Sequence, residues 1–248
     1  MNLTSLALRL ATAGALRDAT WAGTRVNVQP IDPLAGLSDG QKPLIAIYTG
    51  ETVVEGIAGR DVFGGDHTVD LIIQTYVPPR LVLAGVGTVD TSNEYGEAVI
   101  EIMGRQIEVA LMQAETAWAK LWRDLIFEVV GINSKPYLIQ SDKGPRAVAR
   151  EVQYTLKTIS SPPFGQPAGV WAALLAAVDA DEANGPLHTL IAAALRGNAL
   201  PAWKDAIYSL GLRRETGEAL GIGPVAATDA GEIPPLTDGG DIIFQAAP

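Results

Sequence analysis

The chain has 248 residues, 48% of them apolar, enough to build a core for one large domain or for a domain with an appendage. It has no cysteine, which excludes disulfides, thiolate nucleophiles and Cys-based metal sites and fits assembly in a reducing cytoplasm. A formal net charge of −10 argues against gripping phosphate backbones, which needs clustered Lys and Arg. Stable nucleic-acid binding is therefore not expected. The same charge serves ordinary solubility, and it also suits a passage through which DNA slides without sticking.

The first predicted element is a helix over Leu3 to Ala19, with Leu3, Leu6, Leu10, Ala13 and Leu16 at helical spacing. Arg9, Arg17 and Asp18 interrupt it, unlike the apolar run of a signal peptide. No apolar run approaches the roughly 20 residues that a membrane-spanning helix needs, so no membrane partner is expected. Arg25 to Val28 reads as a short strand before the turn-rich Pro30 to Pro33. Pro43 to Tyr48 reads as a second strand and Thr52 to Ile57 as a weaker one. Thr68 to Val77 alternates: Val69, Leu71, Ile73 and Thr75 share one face, and Asp70, Ile72, Gln74 and Tyr76 the other. That pattern predicts an antiparallel sheet with one buried face, ended by Pro78 and Pro79.

Ile100, Met103, Ile107, Leu111, Ala114, Trp118, Leu121 and Leu125 form the strongest periodic stripe in the chain. A single helix from Glu94 to Val129 is long for a globular domain, so a break is expected near Ala114 to Thr116. Pro136 to Gln140 and Ala147 to Ile159 read as the last two strands, with Lys143-Gly144 between them. The expected fold class is α+β: a mixed, largely antiparallel sheet packed by an N-terminal helix and a long, broken helix.

The expected domains are 1–160 as the α+β domain, 161–167 as a Pro-rich linker, 168–214 as a small helical appendage and 215–248 as an acidic extended arm. The linker rests on the stacked prolines of Ser160 to Pro167. The appendage rests on three Ala-rich patterns, around Val170 to Val178, Leu187 to Leu195 and Trp203 to Leu210. From Glu215 onward there is no Lys or Arg, and such a segment buries little apolar surface by itself. Ile242, Ile243 and Phe244 are its candidate anchor on a neighbour.

Few residues suggest catalysis. His67 and His188 have no sequence-local metal partner, and Gly64-Gly65-Asp66, Gly85 and Gly87 match neither phosphate-loop spacing. Glu97 and Glu101 fall one helical turn apart, a spacing open to cation binding or acid–base work but also common on a solvated helix face. Gly-x-Ser-x-Gly is absent. No cofactor is expected, and the chain does not read as an enzyme.

The order of these elements carries a resemblance. An N-terminal helix is followed by Ala19-Thr20-Trp21-Ala22-Gly23-Thr24-Arg25-Val26, Ile31-Asp32-Pro33, the strand Lys42 to Thr49 and the strand His67 to Val77. Over roughly residues 1 to 160 this resembles tail-terminator and related tail-completion proteins of long-tailed bacteriophages. The resemblance implies a structural virion protein, a ring usually six-fold, assembled in the host cytoplasm at the head-proximal end of the tail. Its implied partners are copies of itself, the tail tube protein, a neck or connector protein and, in a contractile tail, the sheath protein. DNA would pass through the ring without stable binding. The charged loop Gly59 to Asp66 is the candidate contact, with Phe63 as an apolar anchor among Arg60, Asp61 and Asp66. The segment after residue 163 departs from a minimal terminator and leaves open a neck, head-completion or collar role. An α+β enzyme or ligand-binding domain is the alternative from a different class.

Overall fold

The computed structural model describes residues 3–30, 42–55, 66–83, 87–91, 94–139, 147–160, 167–181 and 184–196. The chain divides into two compact units, Met1–Leu200 and Pro201–Pro248, and every described residue belongs to the first. The fold is α+β. Among the described residues, five helices accompany a mixed, mostly antiparallel five-stranded sheet and a separate two-stranded hairpin.

Helix α1 (Leu3–Leu16) is buried almost all round, with Leu8, Leu10, Ala11, Ala13 and Leu16 in the core. A helix of small and aliphatic residues with so little polar surface must lie inside the layer structure. Thr12 manages its polarity locally, its hydroxyl donating to the Leu8 carbonyl at 2.6 Å. After a turn, β1 (Val26–Val28) pairs parallel to β2 (Leu44–Glu55), Val26 opposite Ile45 and Val28 opposite Ile47.

Strand β2 is one element where two were expected. A register shift between Thr49 and Thr52 bends it around Gly50-Glu51 and lets both halves pair with β3 (Asp66–Val77). The expected alternation in β3 holds: Val69, Leu71, Ile73 and Thr75 are buried beneath the helices. The other sheet face carries a smaller cluster of Leu44, Ala46, Tyr76 and Ala149. Beside it Gln74 donates to Glu151, and Gln153 and Thr155 donate to Asp70, each at 2.8 Å.

Pro78 and Pro79 do end β3, but the chain re-enters strand at once, in the hairpin β4 (Arg80–Leu83) and β5 (Gly87–Asp90). The Thr91 N–H closes its base on the Pro79 carbonyl at 2.8 Å.

The expected break in the long helix lies between α2 (Glu94–Met112) and α3 (Ala117–Asp124). Thr116 caps α3, its hydroxyl accepting from the Ala119 N–H at 3.2 Å. Arg123 reaches back to the end of α2, donating to the carbonyls of Leu111 at 3.1 Å and Ala114 at 2.9 Å. The expected continuation to Val129 is corrected: the chain turns into β6 (Ile126–Ile139) directly after Leu125. Ile126, Val129 and Val130 are β-branched and Phe127 is aromatic, residue types that fit a pleated strand better than a helix surface. Strand β7 (Ala147–Thr158) lies between β3 and β6, giving the order β1-β2-β3-β7-β6.

Helices α4 (Val170–Asp179) and α5 (Gly185–Arg196) stand where the appendage was expected. Their Trp171, Leu174, Val178, Ile191 and Leu195 enter the same core as the sheet and α1 to α3. Arg17 at the end of α1 also pairs with Asp181 at 2.8 Å. The boundary expected at 161–167 thus separates segments that share one core. A proline run restricts the backbone locally and does not by itself create a domain boundary. The third appendage helix and the 215–248 arm lie outside the described residues. Among the described residues no helix is long and apolar enough to cross a membrane.

Candidate interaction surface

Eleven large hydrophobic side chains are exposed among the described residues, and eight of them stand on two elements, α2 and β6. On α2 they are Tyr95, Ile102, Val109 and Met112; on β6 they are Phe127, Val129, Val130 and Ile132. Scattered single exposures need no explanation, whereas this grouping does.

The α2 set has its own periodicity. Tyr95, Ile102 and Val109 recur every seven residues, and Ala98, Arg105 and Met112 fill the alternating positions, all six exposed. Helix α2 therefore has two apolar stripes: one, through Ile100, Met103, Ile107 and Leu111, is buried, and the other faces away from the protein. The buried stripe dominated the sequence signal and hid the second.

Strand β6 is an edge strand with a particular shape. Its pairing with β7 shifts register between Ile126 and Glu128 and again between Val129 and Gly131. The extra residues are Phe127 and Val130, 75% and 52% exposed. Two bulges, Lys135, and Pro136 with no N–H are features that discourage another strand from pairing along the edge. What β6 offers a partner is apolar side chains more than open backbone.

Between α2 and the β6–β7 hairpin runs an open groove of about 370 Å³. Its apolar lining comes from Ile73, Ile107, Ile132, Val152 and Tyr154, and its polar rim from Glu101, Arg105, Glu108 and Arg150. Gly104 opens it on the helix side, since a Cβ placed there would meet nothing within 4 Å.

The rim charges are organised by Arg150. It lies opposite Thr75 in the ladder, its side chain is only 14% exposed, and it bridges to α2 by an ion pair with Glu97 and a hydrogen bond to Glu101 at 2.7 Å. The Glu97 and Glu101 pair is thus a clamp on a guanidinium. Arg105 pairs with Glu108 at 2.9 Å. Burial, with a smaller contribution from the Glu108 charge, pushes the Tyr154 hydroxyl up to about 12. The groove pairs a neutral, apolar floor with an ionic mouth. This arrangement suits an aromatic or aliphatic side chain flanked by charge.

The residues singled out from sequence fall elsewhere. Arg60, Asp61, Phe63, Ile242, Ile243 and Phe244 lie outside the described residues. Asp66 opens β3 in register with Glu55 at the end of β2. His67 is buried in β3, and no cluster of His, Asp and Glu able to hold a metal occurs among the described residues. Sequence reasoning missed Phe127, Val130 and the outer stripe of α2. The spacing of 95, 102 and 109 was the one signal that pointed to the outer stripe, and nothing in the periodicity marked Phe127 or Val130. Compared with known proteins, the chain matches no protein-family model and no curated protein.

Proposed function

We propose that this chain is a structural subunit that assembles into a ring at the head-proximal end of a bacteriophage tail, where it ends tube polymerisation and joins the tail to the neck. It works by assembly, without turnover. The observation that carries the assembly reading is the gathering of exposed apolar side chains on α2 and β6. Burying that surface between copies removes it from water at roughly 25 cal/mol per Å². A ring needs a surface of this kind on one flank of each subunit and a different, complementary one on the other.

What supports this particular assembly is the element order over residues 1 to 160: an N-terminal helix, a short strand, two long antiparallel strands, a short hairpin, a broken helix and two return strands. The acidic balance of −10 is compatible with a passage for DNA.

Light scattering and negative-stain class averages of the purified chain, alone and with the tail tube protein of the same phage, test the proposal. Closed rings, six-fold on this reading, are the expected outcome. A chain that stays monomeric in both settings rules the reading out.

A further inference from the structure

We propose that the groove between α2 and the β6–β7 hairpin of one copy receives the connection 56–65 of the next copy, with Phe63 as the anchor and Arg60 against the groove's carboxylates. The inference rests on the ring reading and names the contact that would close the ring.

The chemistry of the two sides matches. The groove has an apolar floor with room for an aromatic ring, about 370 Å³ in all. At its mouth Glu101 and Glu108, 63% and 57% exposed, keep carboxylate oxygens open to further donors, and Arg105 stands between them. The connection carries Arg60, Asp61 and Phe63 in sequence order, one cation, one anion and one aromatic. Arg60 suits Glu101 and Glu108, Asp61 suits Arg105, and Phe63 suits the floor. Interface anchors are typically aromatic side chains in a dry pocket with charges at the rim.

Chain length decides between the same copy and a neighbour. Phe63 precedes Asp66 by three positions, so its Cα stays within about 11 Å of the start of β3. The groove begins level with Leu71, about 17 Å along the strand, and is centred level with Ile73, about 23 Å along. The tether falls short of the groove's centre in the same copy. A neighbouring copy has no such limit, and the contact then joins two different surfaces, as a closed ring requires.

The absence of cysteine makes the test clean. One chain carries Val62→Cys, beside the anchor and leaving Phe63 in place, and a second carries Ser134→Cys, on the groove wall; mixed and treated with a short bismaleimide, they should give a covalent dimer containing one of each. Two further variants are measured by light scattering. Gly104→Trp fills the groove where an added side chain has space, and Phe63→Ala removes the anchor. Each should raise the concentration needed for assembly roughly tenfold or more, while thermal unfolding of the monomer stays near wild type. Oligomers that form without the cross-link and tolerate Gly104→Trp overturn this contact and leave the ring reading standing. A wild-type chain that never assembles overturns both.

Discussion

A β-carbon on Gly14 would lie 2.3 Å from Cγ of Trp118, so the indole at the start of α3 packs directly on the backbone of α1. This close approach joins the N-terminal helix to the helical layer that carries the interaction surface.

Gly14→Ala should therefore destabilise the fold by about 1–3 kcal/mol, although alanine normally improves a helix interior. Gly104→Ala in α2 should do the opposite and stabilise by about 0.5–1 kcal/mol, because its added methyl meets nothing within 4 Å. Urea unfolding of both variants measures the pair. Equal signs would show that Trp118 yields to the methyl.

Phe127→Ser combined with Val130→Ser should leave stability within about 0.5 kcal/mol per site, since both side chains are already largely in water. The same double variant should lose assembly, read by light scattering at matched concentration. Loss of folding would instead make β6 part of the core.

Thr116→Ala should cost about 1 kcal/mol, because it orphans the Ala119 N–H at the break between α2 and α3. Thr116→Ser should restore most of it. Urea unfolding distinguishes the two.

Tyr154 ties stability to alkaline pH. Its hydroxyl is raised from an ordinary 10.0 to about 12 by burial and the Glu108 charge. Below pH 10 it is protonated in both folded and unfolded chains, and its contribution is fully present. Between about pH 10 and 12 the unfolded chain ionises first, so stability falls, by about 3 kcal/mol in all. Unfolding curves across that window should show the loss in wild type and a smaller one in Tyr154→Phe.

Much of the fold was legible because period and burial agree. The alternation of Val69, Leu71 and Ile73 marked a sheet face, and a stripe too long for one helix pointed to the break near Ala114 to Thr116. The end of α3 was not legible, since Ile126, Val129 and Val130 are apolar in either state and only pairing with β7 makes them strand. The β4–β5 hairpin was hidden behind Pro78 and Pro79, which stop one strand without forbidding the next. The shared core of α4 and α5 could not be read from a proline run, because composition marks where regular structure stops and not what the following helices pack against. The candidate surface was least legible of all. Exposure of Phe127 or Ile102 is a property of what fails to cover them, and periodicity records only that a residue is apolar.

The most direct measurement of the central claim is electron microscopy of particles from a phage carrying an in-frame deletion of this gene. Tails of abnormal length, unattached to heads, are the expected result, with normal length and attachment restored by the gene in trans. Normal tails joined to heads would contradict it, and headless tails of normal length would move the subunit from tube termination to the neck.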